Sequence, residues 1–329
     1  MKLFNCLYFF FCTSFCFLNA QEASSYSAKT YTTLEIEGTS APSIDGSLDD
    51  LIWASVEWGS DFIEVDPDEN TEPSVQTKFK IIYDQKYLYV ALKALDLEPE
   101  TITNRLSRRD GFVGDRINVL IDSYHDLRTG FLFTVTAAGV RGDEFVTDNG
   151  DNVDESWNPI WSTKALIDDE GWSAEMKIPL SQLRFSSDQN QIWGLNVTRQ
   201  YFKNNEFSAW NRIPVGAAGW VSEAGELKGL TNIKPQKQIE IQPFVVTKLD
   251  SYEAEAGNPY ADGNDSNVNA GLDAKIGITN DLTLDVTINP DFGQVEADPA
   301  AINLDGFEIF NRDQRPFFVE NKNIFDYRF

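Results

Sequence analysis

The chain has 329 residues, with 27 Lys+Arg against 52 Asp+Glu, a formal net charge of −25 and a single His. Hydrophobic residues at 42% and aromatics at 13% are too many for a disordered acidic chain. The charge argues against nucleic-acid binding and a polybasic membrane surface, both of which need a basic face, and one His leaves no multi-His zinc site.

In chain order, the first segment is MKLFNCLYFFFCTSFCFLNA. Lys2 gives a positive start, Leu3–Leu18 is an almost unbroken apolar run, and Ala20 is a small residue before Gln21. That is the pattern of a secretory signal peptide over 1–20, and the run is shorter than the roughly 20 residues that span a bilayer. The protein is therefore expected to be exported. All three cysteines (Cys6, Cys12 and Cys16) lie in this segment, so the mature chain is expected to carry no disulfide or thiolate site.

Residues 21–33 are Ser/Thr/Ala-rich and read as a flexible lead-in. From 34 to 235 the chain reads as short strands separated by turn residues, and hence as an all-β sandwich. Thr77–Tyr83 and Tyr87–Leu95 are joined by Asp84-Gln85-Lys86. Arg116–Asp122, Gly130–Thr136, Trp172–Ile178 and Trp193–Arg199 are further strands. All eight tryptophans lie before residue 221, which places a domain boundary near 230–237.

The second region, 236–329, opens with a strand at Gln238–Leu249. Val268, Ala270, Leu272, Ala274, Ile276 and Ile278 then alternate with polar residues, and Leu282, Leu284, Val286 and Ile288 continue the pattern. This predicts a hairpin with one apolar and one polar face. Keeping the apolar residues on one face selects a three-residue loop, Thr279-Asn280-Asp281. It pairs Ile278 with Leu282, Ile276 with Leu284 and Lys275 with Asp285. The period fits a soluble sandwich or an outer-membrane barrel, and the strand length leans towards the barrel. Three strands are too few to close one, so the chain is expected to be a truncated piece of a longer protein, or its hairpins to pack on something else.

Ile44-Asp45-Gly46-Ser47-Leu48-Asp49-Asp50-Leu51-Ile52-Trp53 resembles the opening signature of carbohydrate-binding module family 9-like domains, themselves similar to DOMON-type sandwiches. The series continues in order. It includes Tyr83-Asp84 with Tyr87-Leu88-Tyr89-Val90, Arg109-Asp110, Asp115 and Ile121-Asp122. After these come Trp157-Asn158-Pro159-Ile160-Trp161, Gly171-Trp172-Ser173-Ala174-Glu175, Trp193-Gly194-Leu195-Asn196 and Arg199. The resemblance implies a β-sandwich that binds a glycan without catalysis, at the cell surface or in the periplasm. Asn289-Pro290-Asp291-Phe292-Gly293 and Arg315-Pro316-Phe317-Phe318-Val319-Glu320 resemble an uncharacterised domain that follows this module in large exported proteins of Gram-negative bacteria. That domain is similar to an outer-membrane β-barrel, which makes the outer membrane the implied second partner.

A sugar site wants exposed aromatics beside Asp, Asn and Arg. Trp157, in the Asp/Asn-rich stretch 148–158, Trp161 just beyond it, and Trp210 are the aromatic candidates, with core tryptophans as the alternative. Trp53, Trp172 and Trp193 read as core. Arg109 and Asp110 are candidates for hydroxyl or carboxylate recognition, and an internal salt bridge holding their loop is the favoured alternative. Asp148, Asp151 and Asp154 form an acidic run that calcium could use, though not with EF-hand spacing. No carboxylate pair is diagnostic of glycoside hydrolysis, and no Gly-x-Ser-x-Gly elbow accompanies His125. Glycan binding is the leading expectation. A structural cap for a barrel and a glycoside hydrolase are the alternatives.

Overall fold

The computed structural model describes residues 27–254, 257–258, 263–279, 282–291 and 316–319. The expected signal peptide, the Asn280-Asp281 turn and most of the second-region signature lie outside these residues.

Seventeen strands are described. In chain order they are β1 (Thr30–Thr32), β2 (Leu34–Glu35), β3 (Ile63–Asp66), β4 (Thr77–Tyr83), β5 (Tyr87–Leu95), β6 (Arg116–Asp122), β7 (Gly130–Thr136), β8 (Arg141–Thr147) and β9 (Asn152–Asp154). Then come β10 (Ser162–Asp168), β11 (Gly171–Pro179), β12 (Asn190–Tyr201), β13 (Glu206–Ala209), β14 (Gly225–Thr231), β15 (Ile239–Ser251), β16 (Asn264–Gly277) and β17 (Thr283–Ile288). Two sheets form a sandwich. The larger runs β1-β14-β12-β6-β7-β8-β9, with β13 attached to β12 and β3 to β13. The smaller runs β10-β11-β5-β4-β2.

The period of two explains the layers. Ile117, Val119 and Ile121 of β6, Phe131, Phe133 and Val135 of β7, and Trp193, Leu195 and Val197 of β12 turn inward. They share one core with Phe79 and Ile81 of β4, Leu88, Val90 and Leu92 of β5, and Trp172, Ala174 and Met176 of β11. A buried ion pair crosses this core. Arg199 donates to Asp115 at 2.7 Å and to the Leu95 carbonyl at 2.8 Å. Asp115 also accepts the Phe202 N–H at 2.6 Å and the Trp172 indole N–H at 3.3 Å. The pair thus ties β12 of one sheet to β5 and β11 of the other.

The Ile44–Trp53 segment crosses the outer face of the smaller sheet. Trp53 packs there in a second core with Ile82, Tyr89 and Ala91. Its indole N–H donates to Glu175 at 2.9 Å, and the other Glu175 oxygen accepts the Asp45 and Gly46 N–H groups at 3.0 and 3.1 Å. Glu175 is buried, and that burial raises its carboxyl above the ordinary range.

One expectation changes here. Part of the lead-in 21–33 is ordered, because β1 pairs in parallel with β14. Buried Tyr31 anchors it. The Tyr31 hydroxyl donates to the Glu57 carbonyl at 2.9 Å and accepts the Ile81 N–H at 3.0 Å.

β15, β16 and β17 form a separate antiparallel sheet in that order. Ile276 pairs with Leu284 and Lys275 with Asp285, and the Ile278 N–H donates to the Leu282 carbonyl at 2.8 Å, the register read from the alternation. β15 has 13 residues and β16 has 14, longer than a typical soluble strand. No closed barrel and no helix long and apolar enough to cross a membrane occur among the described residues.

Candidate functional site

Outward positions of a central strand are normally covered or polar. On β6, β7 and β12 the outward residues form two rows. Thr134, Asn118 and Thr198 lie side by side across three strands, and Leu132, Leu120 and Asn196 form the next row. The first row is hydrogen-bonded. The Thr134 hydroxyl donates to Asn118 Oδ1 at 2.9 Å, and Asn118 Nδ2 donates to Thr198 Oγ1 at 2.9 Å. By inventory, one Asn118 N–H, one Asn118 lone pair and the Thr198 hydroxyl proton remain for a ligand.

The segment from Trp210 to Ala224 folds over these rows. Asn196 holds its start, donating to the Asn211 carbonyl at 3.0 Å and accepting the Asn211 N–H at 2.9 Å. Asn211 Nδ2 donates to the Glu223 carbonyl at 2.6 Å and so closes the loop. Between these anchors, half-buried Ile213 and Trp220 stand opposite Phe207 of β13. With Asn118, Thr198, Leu120 and Leu132 they line a cavity of about 270 Å³. The size is near the lower end of the roughly 300–1,000 Å³ typical of small-ligand sites.

Trp220 is pinned from below by the turn 148–150. Its N–H donates to the Asn149 carbonyl at 3.0 Å. The Asn149 side chain accepts the Ser222 N–H at 2.8 Å and donates to Ser222 Oγ at 3.0 Å. Gly150 has φ +104°, and a Cβ there would sit 2.0 Å from Trp220 Nε1, so both the backbone and the indole require glycine.

Charged groups flank the same face. Phe112 lies over Gly142, the cross-strand partner of Thr134, and the Arg116 guanidinium stacks over the Phe112 ring at 5.3 Å. Glu144, the partner of Leu132, is half-buried. Burial first, then Glu155 and Asp110, raise its carboxyl above the usual range. The arrangement suits a ligand with an apolar face and neutral groups that both donate and accept hydrogen bonds.

The residues expected from the sequence are elsewhere. Trp161 and Trp210 are each only 3% exposed and belong to the core, so neither offers a free face. Trp161 donates its indole N–H to Asp143 at 2.9 Å, and Trp210 packs edge-on against Phe79 at 5.2 Å. Trp157 is half-buried against Phe131 and Phe133, with centroids at 5.0 and 5.6 Å. Arg109 forks onto buried Asp143 and donates to the Pro159 carbonyl at 2.8 Å. Asp110 accepts the Asp143 N–H at 3.0 Å. These residues form an internal network around Asp143, the favoured alternative for the Arg109 loop. Trp53, Trp172 and Trp193 are buried as read.

The calcium candidates also disperse. Asp148 pairs with Arg128 at 3.2 Å, and Asp154 turns back onto the Ser156 N–H at 2.9 Å. Asp151 is exposed, and no acidic or His cluster that could hold a metal occurs among the described residues. The acidic stretch instead carries the turn that fixes Trp220.

The site residues that went unread had a weak signal. Asn118, Thr134 and Thr198 are polar residues at the outward parity of strands whose inward parity is apolar. Trp220 ends a small-residue loop, Gly216-Ala217-Ala218-Gly219.

The family model described as carbohydrate family 9 binding domain-like matches residues 44–214, and a domain of unknown function (DUF5916) matches 235–328. No curated protein matches the chain. Among solved structures, a family 9 carbohydrate binding module from Caldicellulosiruptor kristjanssonii in complex with glucose is 20% identical, with a TM-score of 0.46. The match covers 63% of this chain and 97% of that one. The cellotriose complex of a family 9 module from the same organism matches at the same identity and TM-score, over 63% and 95%.

Proposed function

Because the chain belongs to the carbohydrate family 9 binding domain-like family, we propose that it binds a neutral glycan without catalysis, in the cavity under Trp220. The observation that carries this reading is the pairing of Trp220 and Phe207 with the Thr134–Asn118–Thr198 row. A sugar ring presents an apolar CH face, which stacks on an aromatic, and hydroxyls, which donate and accept at once. The row offers both roles side by side, with no net charge to exclude a neutral ligand. The cavity volume suits one ring or the end of a chain. Titration calorimetry of the full chain against glucose, cellotriose and other neutral oligosaccharides tests the reading. Heat that falls in Trp220→Ala supports it, and no heat with any sugar overturns it.

A second reading concerns the third sheet. Ile239, Ile241, Val245 and Leu249 of β15, Val268 and Ile276 of β16, and Leu284 and Ile288 of β17 lie on one face, all exposed. Exposed contiguous apolar surface of this kind marks an interaction or membrane site. We propose that residues 236–329 belong to an outer-membrane barrel-like domain, with this face of β15–β17 towards lipid and the sandwich (34–235) held at the envelope. Flotation of the full chain with phospholipid vesicles tests it. Charged substitutions at Ile241 and Val245 should abolish flotation without altering glycan affinity.

A further inference from the structure

A second concavity lies on the outer face of the smaller sheet, behind the Trp220 cavity. The Ile44–Trp53 segment covers Ile82, Tyr89 and Ala91, but the far ends of β4 and β5 stay open. A groove of about 440 Å³ remains there, lined among others by Leu48, Trp58, Lys78, Lys93, Leu166 and Asp168.

Trp58 is 37% exposed and held in place. The next residue, Gly59, bridges to Phe79 with N–H to carbonyl bonds of 2.8 and 2.9 Å in both directions. The Lys80 ammonium occupies one side of its ring at 4.8 Å. Lys93 contacts Asp168 at 2.6 Å and Glu170 at 3.2 Å, and Asp168 Oδ1 accepts the Glu170 N–H at 2.9 Å. Lys78 stands directly opposite Lys93 on β4, half-buried, with no ion pair among the described residues. Like charges directly opposed on a sheet face are unfavourable, and here the acids draw only Lys93 away. Lys78 is left with three unused donors beside an aromatic edge and the apolar walls of Leu48 and Leu166.

Two lysines and two acids leave the groove formally neutral in a chain of net charge −25. An anionic ligand would meet both the local carboxylates and the field of the whole molecule. Vicinal hydroxyls fit the groove instead. They can donate to Asp168 or Glu170 and accept from Lys78, while the CH face lies against Trp58 and Leu166.

We propose that this groove is a second subsite for neutral saccharides, on the sheet face opposite the Trp220 cavity. The inference rests on the glycan-binding reading for its ligand class and on different residues for its site. Two sites on opposite faces would let one molecule engage two glycan strands, or one flexible strand twice, and raise avidity.

The test is an NMR titration of the full chain with cellotriose and other neutral trisaccharides, following the tryptophan indole N–H signals. The expected result is saturable shifts at both Trp58 and Trp220. Trp220→Ala should leave the Trp58 response in place. Lys78→Ala and Leu166→Asp should weaken the Trp58 response at least about five-fold, with the Trp220 response of the same variants as the check on the fold. Shifts at Trp220 alone, with Lys78→Ala and Leu166→Asp silent, overturn this inference and leave the first site standing. A Trp58 response without one at Trp220 overturns the cavity reading alone. No response at either overturns both.

Discussion

The carbonyl of Asn149 accepts the N–H of Trp220 at 3.0 Å, so a turn between β8 and β9 sets the position of an aromatic 71 residues further along. The side chain of Asn149 completes the clasp through Ser222. Asn149→Ala keeps the carbonyl and loses both side-chain bonds. Each such bond is worth about 0.5–1.5 kcal/mol, so glycan affinity should fall about ten-fold. Calorimetry checks the affinity, and a thermal melt should register the same lost bonds as a fall in stability.

The hydrogen-bonded row makes a graded prediction. Thr198→Val removes a hydroxyl that faces the cavity, and Asn118→Ala removes the amide that joins both threonines. Leaving bound hydroxyls unpaired costs about 1–3 kcal/mol per group. Asn118→Ala should therefore weaken binding more than Thr198→Val, both by about 10- to 100-fold. Thr134→Val should act less, because Thr134 reaches the ligand only by orienting Asn118.

Arg109→Ala should separate stability from binding. It leaves the Asp143 carboxylate, which is wholly buried, without its guanidinium. Breaking such a pair costs about 3–5 kcal/mol. Denaturant unfolding should show that loss, while protein that remains folded binds glycan with unchanged affinity. A matching loss of affinity in folded protein would return Arg109 to the binding site.

Glu175 predicts a pH effect. Burial raises its folded-state value, so the folded protein holds this proton more tightly than the unfolded chain. Linkage therefore lowers wild-type stability as pH rises from about 4.5 through the raised value, after which the effect levels off. Glu175→Gln carries no titration there. Against that variant, wild-type stability should decline across this window, as read by urea midpoints between pH 4 and 8. Parallel curves would contradict the assignment.

Much of the fold is legible in sequence because it rests on local periodicity. The ends of β4 and β5 fall where the turn at Asp84-Gln85-Lys86 places them, and the β16–β17 register follows from keeping Ile276 and Leu284 on one face. The site is less legible because it is assembled from parity and distance. Trp161 and Trp210 resemble rim residues by their polar neighbours, yet the sandwich needs their area in its core. Asp148 reads as a calcium ligand, whereas it and Asn149 adopt left-handed backbone angles in a turn that carries Trp220. Nothing in the composition of residues 148–154 reports a contact with residue 220, since that contact exists only once β8, β9, β13 and β14 are assembled in the larger sheet. The Ile44–Trp53 signature and Glu175 show the reverse case. Sequence order alone marks them, and the structure supplies the reason through the Trp53–Glu175 bond.

The most direct measurement is the affinity of the full chain and of Trp220→Ala for a neutral oligosaccharide, by calorimetry at equal protein concentration. Stacking and cavity closure predict saturable binding by the wild type. Its Trp220 component should be lost in the variant, while Trp157→Ala retains it. Equal binding by wild type and Trp220→Ala, or loss in Trp157→Ala alone, would contradict the placement of the site under Trp220.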